Sequence, residues 1–389
     1  MTLKRLAWPI AIGAAFIAAV LMLKPASHRA ASVPGADLSS RHSAPAIAPT
    51  SSLIAPRSEP QSRPRNWRPH ALEAARNSSR AGYAWILRQF GISDADLDRL
   101  AAGNYAAFFK DLTSKANAGD PNAINALGWL AWGCATQRSE AQLNAYQQSQ
   151  HQEARSLPSA DADWFTTFLD ADISNDKQHL SACATIDQDD TLESQIKGLA
   201  AQGDGASLFV LSLAANNMTD LRNYARQSAL QGFPEGQYEY ARDLLYSSQL
   251  YPSQPGDPTA MDLLRAAANE LPMARASLAL CEYSGCSGEA PNVSAALADA
   301  RTAAQSGTPD AMIQLAVDAP PSLISAAEGQ AWSLFDLALQ QRGCRVSVLG
   351  LNWMKSMATL AANATPEAQS LADQYWQQYG ATAMAQLGC

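Results

Sequence analysis

The chain has 389 residues, of which 47% are hydrophobic and 16% charged, with a formal net charge of −8. That is enough apolar material for a real core, and because Ala and Leu outweigh β-branched runs it favours helix. The charge is uneven: residues 1–80 carry 11 Lys+Arg against 3 Asp+Glu, and residues 81–389 carry 17 against 33. So acidic a body argues against a nucleic-acid partner, whose backbone requires clustered Lys and Arg.

In chain order the first signal is an address. After Lys4 and Arg5, residues 6–23 are eighteen without a charge, closed by Lys24 and Pro25. A cleaved signal peptide has an apolar region of about 7–15 residues before a small-x-small site. Here the best such site, Ala30-Ala31-Ser32, lies well downstream of the run. Eighteen residues just span the hydrocarbon core as a helix, so residues 1–24 are expected to be a retained signal-anchor, with a cleaved signal peptide as the alternative. Residues 25–69, rich in Pro, Ser, Ala and Arg, read as a disordered, solvated linker, with contact between its basic residues and anionic headgroups or the acidic body as the alternative.

Helical periodicity begins near residue 70. Residues 71–90 place Tyr83, Leu87 and Phe90 on one face and stop at Gly91. Ser93 opens the next helix, with Asp94, Asp96 and Asp98 in its first turn, where a helix dipole favours negative charge; capping is the better reading of these carboxylates than a metal site. Gly119-Asp120-Pro121 turns a first hairpin within 70–136. Residues 137–194 fit no repeat and are expected to be an irregular helical insertion or diverged repeats, with a Gln-rich helix, an aromatic cluster at Trp164, Phe165, Phe168 and Leu169, and Asp187, Asp189 and Asp190.

From 195 to 345 one skeleton recurs: small residues, a turn Gly, then Ala and Leu four apart. The turns fall at Gly203, Gly232, a degenerate turn at residues 270–272, and Gly307, spaced 29, about 39 and about 36 residues. Such periods mark stacked helical hairpins, and a Pro-rich loop at residues 251–258 explains the longest interval. Residues 346–389 are expected to form a C-terminal helical cap, since a solenoid end must cover an apolar face.

The best-formed unit contains Ala279, Tyr283, Gly285, Pro291, Asn292, Ala296, Ala303, Ala304, Gly307, Ala311 and Leu315. It resembles the Sel-one-like repeat, a relative of the tetratricopeptide repeat, with Asn292 where the family has Asp and Asp299 where it has Trp. The resemblance implies an all-α solenoid of stacked antiparallel hairpins whose concave face binds a protein or peptide partner, with no cofactor and no catalytic residues. Trp129 and Trp132, three apart, and Trp332 with Phe335 are the candidates to line such a surface, against the plainer reading that they fill gaps between helices.

All six cysteines (Cys134, Cys183, Cys281, Cys286, Cys344 and Cys389) lie beyond residue 133, an even count that reads as disulfides in an exported chain. Cys-rich members of the resembled family staple the helices of a repeat, and Cys281 with Cys286 looks like a shortened form of that device. Among the 15 connectivities open to six cysteines, Cys134 with Cys183, around the insertion, and Cys344 with Cys389, at the C-terminus, complete the expected set.

Catalytic patterns are missing. His179 and Cys183, four apart, form an isolated pair, read as a surface histidine beside a disulfide rather than a zinc site. Phosphate loops and nucleophile motifs do not occur. The expectation is a scaffold or regulator of the bacterial envelope, single-pass in the inner membrane with its body in the periplasm. The alternatives are a cleaved, soluble periplasmic or secreted form, and an envelope enzyme or cell-wall ligand binder with its site in residues 137–194.

Overall fold

The computed structural model describes residues 71–157, 159–184, 186, 190–250, 259–344 and 363–389. The hydrophobic run 6–23, the linker, the 251–258 loop and residues 346–362 of the expected cap lie outside the described residues. Among the described residues there are sixteen α-helices and no strand. They are α1 (Ala71–Leu87), α2 (Asp94–Ala101), α3 (Tyr105–Asn117), α4 (Pro121–Thr136), α5 (Glu140–Ala154), α6 (Ser159–Cys183), α7 (Asp190–Ala201) and α8 (Gly205–Ala214). Then come α9 (Met218–Leu230), α10 (Pro234–Leu250), α11 (Thr259–Ala268), α12 (Pro272–Ser284), α13 (Val293–Gln305) and α14 (Pro309–Ile313). A π-helical turn (Gln314–Asp318) extends α14, and α15 (Ala326–Gln341) and α16 (Pro366–Leu387) end the chain. None is long and apolar enough to cross a membrane.

The architecture is an all-α solenoid in which most helices pack on their neighbours in sequence and α4, α8 and α12 also pack on α8, α10 and α14 of the next hairpin. Gly119, Gly203, Gly232 and Gly307 have φ between 79° and 87°, a conformation that glycine adopts without the Cβ penalty. Each donates to the carbonyl three residues back while the following residue reaches five back, as in Gly307 to Ala304 at 2.9 Å and Thr308 to Ala303 at 3.0 Å. This pair of bonds closes the helix C-terminus. Gly91, Gly103, Gly343 and Gly388 repeat the same two bonds at positive φ, so the turn is twice as common as the repeat pattern indicates. The degenerate turn has no glycine; Leu271 sits extended before Pro272.

Small residues permit close crossing. Ala123, Ser207, Ala274 and Ala311, all buried, occupy one equivalent position of α4, α8, α12 and α14. At the corresponding Gly236 of α10, a Cβ would run into the side chain of Ser228. Asn292 caps α13, its side chain accepting from the Ala295 N–H at 3.2 Å, so it does the work expected of Asp there. Asp299, where the pattern has Trp, lies 3.7 Å from Arg275 of α12.

The insertion is a helical hairpin. Helices α5 and α6 leave the stack after α4, yet α4 still packs on α7 and α8, so the repeat closes behind them. Helix α6 folds back across α1 and α3. At the other end α16 packs over α15 and α13, and it also meets α1. There Asn77 donates to the Arg342 carbonyl at 2.8 Å, Arg80 to the Gly388 carbonyl at 2.6 Å and Arg88 to the Ala385 carbonyl at 2.7 Å.

The cysteines pair as Cys134–Cys183, Cys281–Cys286 and Cys344–Cys389, with Cα separations of 5.7, 5.0 and 5.1 Å; none is free. Cys344 and Cys389 each follow a turn glycine, so the third bond joins two equivalent turns. Complete pairing fits an oxidising compartment.

Candidate functional site

The turn geometry brings the N-termini of α4, α8 and α10 together beside the segment that follows α1. Between them opens a cleft of about 290 Å³ lined by Gln89, Phe90, Asn122, Asn125, Asp204 and Gly205 and by residues 231–234. Aromatic packing underlies it: the Phe90 and Phe233 rings are parallel, 6.1 Å apart, Phe209 packs on Phe233 at 5.6 Å, and Phe90 and Phe209 are buried. Buried Asn125 ties the wall together, accepting from Ser207 Oγ at 2.6 Å and donating to Asp204 Oδ2 at 2.9 Å. Asp204 also caps α8 through the Ser207 N–H at 2.8 Å. Gly205 is required here, because a Cβ would crowd the side chains of Phe233 and Gln231.

On the rim stand the carboxamides of Gln89, Asn122 and Gln231, with Asn122 and Gln231 exposed. A carboxamide offers a donor and an acceptor side by side, the same pairing that a peptide unit presents. The carboxamides of the cleft can therefore match the backbone of an extended chain.

Of the residues expected to line an aromatic surface, Trp332 and Phe335 are core. Trp332 is 2% exposed and Phe335 0%; Trp332 stacks on Tyr375 at 4.2 Å, and Phe335 packs against Trp376 at 6.0 Å. They are core, because α16 lies over α15 and covers that face. Trp129 is partly buried, edge-on to Tyr83 and Trp85 at 6.1 and 6.4 Å, and Trp132 is half-buried. Neither lines the cleft. The residues that do were signalled only by lying next to turn glycines: Gln89 near Gly91, Asn122 near Gly119 and Gln231 beside Gly232.

A second group of functional side chains lies on α6. Asp172, Asp176, His179 and Cys183 fall at i, i+4, i+7 and i+11, one face of the helix. The return of α6 turns this face toward α1 and α3. His179 is not a surface residue: it is 5% exposed, enclosed by Tyr83, Tyr105 and Phe109 with ring centroids 5.3–5.6 Å away. Burial holds its pKa down at about 4, so the imidazole is neutral. Burial, then the neighbouring Asp176, pushes the Asp172 carboxyl up to about 7; burial also raises Asp176, against the opposing charge of Arg138. Tyr105 is pushed up to about 12 by burial.

Neighbouring contacts fix the rest of this group. Asn175 donates to Ser79 Oγ at 2.9 Å. His179 Nε2 lies 3.8 Å from Cys183 Sγ, and Gln137 Oε1 lies 3.6 Å from the same sulfur. Asp94, by contrast, is held below the usual carboxylate range by its bond to Arg88. Asp94, Asp96 and Asp98 pair with Arg80, Arg88 and Arg99, as capping and ion pairing require rather than metal binding.

No protein-family model and no curated protein matches the chain. Among solved structures, a protective antigen present in uropathogenic Escherichia coli strains, displaying an SLR fold, is similar at 19% identity over 74% of this chain and 72% of that one, with a TM-score of 0.30. The fold reading rests on the hairpins of this chain itself.

Proposed function

We propose that the protein is an extracytoplasmic α-solenoid scaffold that binds an extended segment of a partner protein in the cleft between α4, α8 and α10. The observation that carries this is the cleft's polar lining: the carboxamides of Gln89, Asn122 and Gln231, on a framework held by Asn125, Asp204 and Ser207 over the packed Phe90–Phe233 pair. Three disulfides and the uncharged run 6–23 support an envelope location, anchored in the inner membrane with the body in the periplasm, or released there after cleavage. The excess of carboxylates in residues 81–389 favours a partner segment carrying Lys or Arg. An enzymatic role for residues 137–194 has less support, because Asp172 and His179 are buried and His179 is enclosed by aromatic rings.

The test is selection of a displayed random-peptide library on the full chain, followed by affinity measurement of the enriched peptides. Gln231→Ala and Asn122→Ala are expected to weaken binding about tenfold each, and Arg265→Ala, away from the cleft, to leave it unchanged. Enriched peptides whose affinity ignores both cleft substitutions would sink the reading.

A further inference from the structure

The Cys134–Cys183 bond ties the last turn of α4 to the last residue of α6. Its neighbourhood differs from that of the other two disulfides. Cys134, Cys183 and His179 place their two sulfurs and one ring nitrogen within 4.8 Å of one another, the one such group of three among the described residues. We propose that two-electron reduction of this disulfide by a dithiol opens a Zn(II) site whose ligands are the two cysteine sulfurs and His179 Nε2.

The step balances. The dithiol gives two electrons and two protons, leaving as its own disulfide, and Cys134 and Cys183 become thiols. Zn(II) then displaces both thiol protons to solvent.

Geometry supports the assignment. Zinc bonds sulfur at about 2.3 Å and histidine nitrogen at about 2.0 Å, so the S–N edge of its tetrahedron is about 3.5 Å. The Cys183 sulfur and His179 Nε2 are already 3.8 Å apart. The sulfurs have to part to about 3.8 Å by the same bond lengths, and Cys134 Sγ, within 4.8 Å of the His179 nitrogen, has to settle about 3.5 Å from it; both cysteines lie in the last turns of their helices, α4 and α6. His179 and Cys183, one turn apart, present their donors on the same side of α6.

Charge supports zinc over a monovalent ion. Two thiolates, a neutral imidazole and Zn(II) sum to zero, which a site walled by Tyr83, Tyr105 and Phe109 tolerates. Cu(I) would leave a buried negative charge. Gln137 lies beside the site, its Oε1 3.6 Å from Cys183 Sγ, while its Nε2 donates to the Asp176 carbonyl at 3.4 Å. That second bond orients the side chain as outer-shell contacts orient ligands. Cys134 is half-buried and offers the way in.

The experiment uses the full chain, reduced with a dithiol, desalted without oxygen and titrated with Zn(II) against a chromophoric chelator. One zinc per reduced chain is expected and none in the oxidised protein. Cobalt should give thiolate charge-transfer absorption in the same form. Cys281→Ser/Cys286→Ser/Cys344→Ser/Cys389→Ser removes competing thiols and should keep the zinc, while His179→Ala should weaken it at least tenfold. If reduction loosens the fold, zinc should raise the melting temperature of reduced wild type but not of reduced His179→Ala. The proposal is overturned if reduced wild type holds no more zinc than Cys134→Ser/Cys183→Ser, if His179→Ala binds as wild type does, or if zinc leaves the melting temperature of a loosened reduced chain unchanged.

Discussion

Arg80 of α1 donates from Nη1 to the carbonyl oxygen of Gly388 at 2.6 Å, joining residues 308 positions apart. The carbonyls at a helix C-terminus have no partner within the helix and carry partial negative charge. A guanidinium is a matched donor for them, and Arg80 is held in place by Asp98 at 2.7 Å and Asp94 at 3.1 Å. Arg88 repeats the arrangement at Ala385.

Arg80→Ala is therefore expected to destabilise the protein by about 1.5–3 kcal/mol, the range for a hydrogen bond to a charged group. Hydrogen exchange should show protection falling together at the end of α16 and along α1. Unchanged protection at Gly388 and Cys389 would mean that the junction is held by something else.

The turn glycines separate by surroundings. A Cβ at Gly119 meets nothing within 4 Å, whereas at Gly343 it would overlap the Ala74 carbonyl of α1. Gly119→Ala should cost about 1–2 kcal/mol, the left-handed strain alone. Gly343→Ala adds a backbone clash and should lose at least twice as much, read as urea midpoints. Equal losses would show that α1 does not lie against this turn.

Disulfide removal should follow loop length. The separations are 49, 5 and 45 for Cys134–Cys183, Cys281–Cys286 and Cys344–Cys389. In the chain-entropy model these correspond to about 4, 2 and 4 kcal/mol. Paired Cys→Ala variants, compared by chemical denaturation, are expected to rank so, with Cys281–Cys286 the mildest.

Glu235, near the start of α10, is 1% exposed, with no hydrogen-bond partner for either carboxylate oxygen outside its own backbone. Burial pushes its carboxyl up from 4.5 to about 8. The folded state thus holds a proton that the unfolded chain releases, so stability is full below pH 4.5 and falls as pH rises toward 8. Each pH unit across that window costs about 1.4 kcal/mol. Glu235→Gln cannot lose the proton; its stability between pH 5 and 9 should be flatter than that of wild type by roughly 2–4 kcal/mol. Asp172, raised to about 7, adds a fall of the same sign, and Asp172→Asn should remove it. A stability profile for Glu235→Gln parallel to that of wild type would contradict the buried, unpartnered carboxyl.

What the sequence determined by itself was everything carried by neighbours along the chain. Gly119, Gly203, Gly232 and Gly307 mark their turns because left-handed φ at a helix end is a local demand. Ser93 and Asn292 mark their caps because a side chain there reaches an N–H three residues on. Gly343 and Gly388 make the same turn but were not read as such, having no Ala and Leu four apart after them.

The tertiary structure alone decided which faces meet. Trp332 and Phe335 look no different in sequence from Trp129 and Trp132, yet α16 buries the first pair completely. His179 reads as a surface residue until α6 folds back over α1 and α3. The cleft needs Gln89, Asn122 and Gln231, which are far apart in the chain and come together only when three helix N-termini align. Periodicity records which side of a helix is apolar, but the helix that covers that side is set by contacts between distant segments, and no local pattern encodes them.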